Sequence, residues 1–174
     1  MVGSIDCMHW TWKNCPYAWK GAFQGKEGAP TLVLEAVCDY RLWIWHSFFG
    51  MAGSNNDLNV LDRSHLFNDL LRGESSKTSF IVNGNEYRHG YYLADGFYPD
   101  WPVFVKSISQ PIGRKKRLFA DLQEGLRKDI ERCFGVLQQC FCILALPCKL
   151  WDRDAMHTIM TACIILHNMI IEDE

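Results

Sequence analysis

The order of apolar patterns along the chain predicts an α/β domain, a mixed sheet flanked by helices. Three observations carry this expectation. The early part of the chain holds two β-rich runs, Thr31–Val37 and Leu42–Phe49, joined by the short polar turn Asp39-Tyr40-Arg41. An Asn83-Gly84 pair marks a second hairpin near the middle. The last third carries two long segments with helical periodicity. At 174 residues and 48% hydrophobic content, the chain suits one domain over residues 1–174 with a substantial core, and it is too apolar to stay disordered.

Taken in order, Gly3 to Trp12 reads as a strand, with Ile5 and Cys7 on either side of Asp6. Lys13 to Pro30 is rich in Gly and Pro without a regular period, so a loop is expected. After the first hairpin, Gly50 to Asn56 reads as a turn-rich loop. Asp57 then opens a helical pattern through Leu58, Leu61, Leu66 and Leu70 and is placed as its N-cap. The run ending Tyr91-Tyr92-Leu93-Ala94 closes a strand at Asp95, and Pro99 to Gly113 reads as a loop. Lys115 to Gln138 is the clearest helix, with an apolar stripe of Leu118, Leu122, Leu126, Ile130, Phe134 and Leu137. A final helix from Asp154 to Ile171 is apolar on most faces and is expected to be buried.

Composition narrows the function classes. A net charge of −2 argues against strong autonomous DNA binding, which usually needs a basic surface. It leaves a nuclease open, because acidic metal ligands lower the charge until the metal arrives. No secretory leader and no apolar run of membrane-spanning length is expected. The eight cysteines include no Cys-x-x-Cys pair, so free buried thiols are favoured over a zinc site or disulfides.

Four acidic residues fall where elements begin or end: Asp6 in the first strand, Asp57 after the third, Asp95 at a strand end and Glu131 on the long helix. Cutting a phosphodiester requires an activated water and stabilisation of the departing oxygen. Two divalent ions about 3.5–4 Å apart supply both. Magnesium prefers carboxylate oxygens, and a carboxylate inside an apolar strand is costly unless paired or bound. Each acid also has a plainer reading. Asp6 can lie on the polar face of an edge strand, Asp57 can be a helix cap and Asp95 a turn residue. Glu131 can be the partner of Arg127 in an exposed i,i+4 pair.

The stretches GSIDCMHWTWKNCPYAWKG and GKEGAPTLVLEAVCDYRLWIWHSFFGMAGSNNDLNVLDRS, followed by YYLADGFYPDWPVFVKSIS, IERCFGVLQ and ACIILHNMI, resemble the plant Harbinger-type (PIF-type) transposases. The likeness runs from Gly3 to Ile171. It implies a ribonuclease-H-like fold and a metal-dependent DNA-cutting nuclease of the DDE superfamily. The family's metal-binding acids map onto Asp6 in GSIDC, Asp57 in GSNND, Asp95 in LADG and Glu131 in IERCFGVLQ. Asp6, Asp95 and Glu131 are the implied core trio, on the first strand, the fourth strand and a late helix. Asp57 is an additional ligand or a positioning residue. The implied cofactors are two Mg²⁺ or Mn²⁺ ions. The implied partners are transposon ends and target DNA, a Myb- or SANT-like helper protein and further copies of the chain in a homo-oligomer, at work in the nucleus. The family's N-terminal DNA-binding region is expected to be missing, since the sequence opens almost at the first catalytic strand. That favours, as the alternative, a truncated or domesticated copy acting as a non-catalytic interaction module.

Other candidates carry weaker chemistry. Arg114-Lys115-Lys116-Arg117 is a solvated helix start or a phosphate contact. Its cations oppose the helix dipole. Trp10, Trp12, Tyr17 and Trp19 fit core or loop packing better than stacking on a base. His9 and His46 read as strand packing, and His167 with Asn168 as hydrogen-bonded core groups.

Overall fold

A computed structural model describes residues 1–26, 28–68 and 79–173. Five strands form the main sheet: β1 (Gly3–Thr11), β2 (Thr31–Cys38), β3 (Ile44–Ala52), and then β6 (Tyr92–Ala94) and β7 (Phe104–Lys106), in the order β3-β2-β1-β6-β7. β1, β2 and β3 run antiparallel, whereas β6 is parallel to β1 and β7 to β6. The mixed α/β architecture is as expected.

β2 is buried at every position because β1 and β3 flank it and both sheet faces are covered. Its run TLVLEAVC is accordingly almost wholly apolar, the pattern of a strand with no solvent face. On one face Met8 and Trp10 of β1, with Trp12 just past its end, meet Leu32 and Leu34 of β2. They pack against α3 (Arg114–Cys140) and α5 (Arg153–Asp173), between which lies the short α4 (Cys142–Ala145), through Ile130, Leu137, Met156 and Met160. The indole N–H groups of Trp10 and Trp12 donate to the carbonyls of Leu146 and Leu150, at 3.0 and 2.7 Å, so two large apolar rings are buried without an unmet donor. On the other face Ile5 and Val37 pack with Leu61, on α2 (Asp57–Arg63), and with Phe67, Tyr98 and Phe104.

The second hairpin is present as β4 (Phe80–Val82) and β5 (Asn85–Tyr87), a separate two-stranded sheet. Asn83 and Gly84 both take positive φ, 51° and 81°, as a tight hairpin turn requires.

Several sequence expectations are corrected. The Lys13–Pro30 segment contains a single 3-10 turn (Tyr17–Trp19) and α1 (Lys20–Phe23), held by Trp12, Trp19 and Phe23 packing on one another. β3 begins at Ile44, because Leu42 turns the chain with φ 67°, and it continues through Gly50 to Ala52. The cap of α2 is Asn56, whose side chain accepts the Asn59 N–H at 2.9 Å, so Asp57 is the first helical residue. Leu66 lies beyond the end of that helix, and Leu70 is outside the described residues. The Pro99–Gly113 segment contains β7, which pairs with β6 through Phe104, Val105 and Lys106.

On α3 the apolar stripe is buried only from Ile130 onward, while Leu118, Leu122 and Leu126 are exposed, since the first half of the helix turns Ala120 and Gln123 inward instead. α5 buries Met156, Met160, Cys163, Ile164, His167 and Ile171 but exposes Ile165, Leu166, Met169 and Ile170. By length and composition alone α5 could cross a membrane, contrary to the sequence reading. Its buried residues instead make it one wall of the core.

Asn168 on α5 acts as a substitute strand edge. It accepts the Ile44 N–H at 2.9 Å and donates to the Ile44 carbonyl at 2.8 Å. His167 bonds the Leu42 carbonyl at 2.8 Å. Both are hydrogen-bonded core groups, as the sequence suggested. All eight cysteines are free thiols, and Cys15, Cys38, Cys133, Cys148 and Cys163 are buried.

Candidate acidic site at the open edge of the first strand

The site follows from a mismatch in strand length. β6 pairs with β1 only at Gly3 and Ser4, whereas β2 pairs with β1 as far as Thr11. Past Ser4, the β6 side of β1 is therefore open, and a cleft of about 360 Å³ fills the gap. The start of β1 is fixed by close packing: a Cβ on Gly3 would sit 2.3 Å from the Cys38 carbonyl oxygen, so only glycine fits.

Asp6, Asp57 and Asp95 all line this cleft, together with Cys7, His9, Thr11, Lys26 and Phe97. Asp6 comes from β1, Asp57 from the first turn of α2, and Asp95 from the residue after β6. Each is partly buried. Two tethers from α3 fix the cleft wall. Ser4 Oγ donates to the Leu126 carbonyl at 3.2 Å. The buried Gln123 amide donates to the carbonyls of Ala94 and Val105, at 3.2 and 2.9 Å, clamping the ends of β6 and β7 beside Asp95.

Glu131 does not line the cleft, but it is one ion pair away. The Arg127 guanidinium reaches Asp6 Oδ2 at 3.4 Å and Glu131 Oε1 at 3.0 Å. The i,i+4 pair considered for Glu131 thus exists, and its arginine also bridges to the first strand. Glu131 is 48% exposed, whereas Asp6 is 22% exposed.

Burial pushes the Asp6 carboxyl up to about 6. The Cys7 N–H, donating to its Oδ1 at 2.8 Å, and the Arg127 charge pull it down, while Asp57 and Glu131 push it further up. The neighbouring Cys7 thiol and Tyr98 hydroxyl, 3.9 Å apart, are both pushed well up, mainly by burial and secondly by the surrounding acids. The region carries more negative charge than its own cations offset.

The donor set is all carboxylate oxygen, which fits a hard divalent cation and not zinc or copper. Among the described residues no three His, Cys, Asp or Glu side chains converge into a ready ligand group. Arg127 stands between Asp6 and Glu131, and any cation using both must share or displace it.

A model of the plant transposon protein family matches the sequence over residues 1–174. The chain belongs to the plant transposon protein family. No curated protein and no solved structure matches it. For a member of this family, the acids singled out by motif become one neighbourhood in space: Asp6, Asp57 and Asp95 on the cleft, and Glu131 behind Arg127.

The basic run Arg114–Arg117 lies apart from that neighbourhood, exposed on the first turn of α3. That turn has no acidic residue and no side-chain cap. Trp10 and Trp12 are core residues, while Tyr17 and Trp19 are exposed.

Two participants escaped the sequence reading. Arg127 was weighed only as a partner of Glu131. Glu35, facing Cys7 across the β1–β2 ladder, is fully buried, and its carboxylate oxygens lack a hydrogen bond. Its nearest charge partner is His46 Nε2 at 3.4 Å, which also contacts Ser64 Oγ at 3.0 Å at the end of α2. A charge inside TLVLEAV, between Leu34 and Ala36, was the available signal for Glu35.

Proposed function

We propose that this chain is a transposase-derived, metal-dependent endonuclease of the Harbinger type with a ribonuclease-H-like fold. The observation that carries the reading is that Asp6, Asp57 and Asp95 line one cleft, with Glu131 linked to Asp6 through Arg127. The sheet order, with the first strand beside and parallel to the fourth strand of the main sheet, supports the fold assignment.

Asp6, Asp95 and Glu131 would hold Mg²⁺ or Mn²⁺, with Asp57 as a further ligand or a positioning group. When bound, the ions supply water activation and stabilisation of the departing 3′ oxygen of a DNA phosphodiester. The chain's own residues set the geometry. Gln123 fixes the strand end that carries Asp95. Ser4 ties β1, which carries Asp6, to α3, which carries Glu131. The exposed Arg114–Arg117 run contacts phosphate away from the reacting bond. The freed 3′-hydroxyl would then attack target DNA. Recognition of transposon ends falls to a Myb- or SANT-like helper, with the work done in the nucleus.

The test is nicking of supercoiled DNA in Mn²⁺. Asp6→Asn, Asp95→Asn and Glu131→Gln each keep side-chain shape but lose a charged oxygen, and each is expected to remove most of the activity while the protein stays folded. Asp57→Asn is expected to lose less, because the amide still offers one oxygen. A Glu131→Gln protein that cuts as well as the parent would remove Glu131 from the site, and equal loss in all four would make Asp57 a full ligand. The exposed Leu118, Leu122 and Leu126 favour a second reading, a non-catalytic interaction module. Parent protein without any Mn²⁺-dependent nicking would leave that reading standing.

A further inference from the structure

The guanidinium of Arg127 occupies ground that a cation would need. It is only 17% exposed and touches one oxygen of Asp6 and one of Glu131, carboxylates brought from a strand and a helix. Without it the two acids would lose the cation that bridges them.

We propose that Arg127 is an internal counter-ion that competes with the divalent cation for Asp6 and Glu131, so that cation loading requires its guanidinium to leave them. The inference rests on the metal-dependent reading above. Three observations carry it. The arginine bridges two of the proposed ligands at once. Its hold is releasable: it meets each carboxylate through a single nitrogen, and the 3.4 Å contact with Asp6 is longer than the 2.7–2.9 Å typical of a strong charged hydrogen bond. The backbone beneath it is tethered at the preceding residue, Leu126, whose carbonyl accepts from Ser4 Oγ of β1, so rotation of the Arg127 side chain is the cheaper route of exchange.

The experiment follows Mn²⁺ binding to the full chain through loss of the free-ion electron paramagnetic resonance signal. Arg127→Gln is expected to bind Mn²⁺ roughly tenfold more tightly than the parent, and Arg127→Lys, which keeps the charge, to stay within roughly twofold of it. A second readout uses unaltered protein: the Arg127 Nε–H resonance is expected to move during a Mg²⁺ titration and to saturate with the same constant as Mg²⁺ binding. Equal Mn²⁺ affinity in the parent and Arg127→Gln overturns the counter-ion role and leaves the metal site intact. Binding by neither protein removes both readings, while binding by Arg127→Gln alone supports both. If Arg127→Gln does not fold, an Nε–H signal that stays still while Mg²⁺ saturates overturns the proposal.

Discussion

Asp6 is ionised at neutral pH at a cost to the fold. Burial lifts its pKa to about 6, from 3.8 for an unhindered aspartate. The folded chain therefore holds the proton more tightly than the unfolded one. The resulting stability is fully present below about pH 4, declines as pH rises, and is lost above pH 6. At pH 7 the charged carboxylate costs about 2–3 kcal/mol relative to a group without the shift. Asn at this position keeps an oxygen for the Cys7 N–H but carries no charge. Asp6→Asn is accordingly expected to raise the stability of metal-free protein at pH 7 by about 1–3 kcal/mol and to show no such gain near pH 4. Urea unfolding at the two pH values reads this directly. A variant less stable than the parent at pH 7 would show that the Arg127 contact outweighs the burial cost. The gain, if found, would place Asp6 among residues kept for chemistry at the expense of stability.

Between elements, Asn168 joins α5 to the start of β3. Asn168 makes both backbone hydrogen bonds of Ile44, replacing part of a missing strand neighbour. Asn168→Ala strands a partly buried donor and acceptor and is expected to cost about 2–3 kcal/mol, seen as a lower urea midpoint at unchanged slope. A loss under about 0.5 kcal/mol would mean that water replaces the amide without penalty. The same scale shows what the sequence could reveal. β1, β2 and the Asn83-Gly84 hairpin were legible because alternation and turn chemistry are local. β7 was not, because three residues in a stretch with several prolines carry too little pattern, and its pairing with β6 is decided by Phe104 packing under Phe67 and Tyr98. The leucines of α3 kept helical spacing whether or not anything covered them, so periodicity alone promised burial that Leu118, Leu122 and Leu126 do not have. The acids were legible from motif and position. Their grouping was not, since it depends on β6 ending after two rungs with β1 and on an arginine shared between α3 and β1.

At the scale of the whole molecule, charge governs any encounter of the proposed nuclease with DNA. The net charge is −2, and the dense basic run is confined to Arg114–Arg117. Neutralising about three or four phosphates gives a log–log salt slope of roughly −3, so binding by this chain alone is expected to be weak and indifferent to sequence. Fluorescence anisotropy in Ca²⁺, with a transposon-end duplex and a scrambled one, measures both. A tight complex that prefers the transposon end at physiological salt, with no second protein present, would overturn this expectation. The short union of β1 with β6 has one more consequence, for the order in which the molecule can form. The β1–β2–β3 meander closes through near neighbours in the chain, but Gly3 and Ser4 must wait for Tyr92 and Leu93, and the clamp on those strands arrives only with Gln123. Loop-closure entropy makes such distant parallel pairing the slow event. Asp6 and Asp95 are therefore expected to meet late, once Gln123 of α3 is in place, so the acidic cleft is expected to assemble only near the end of folding.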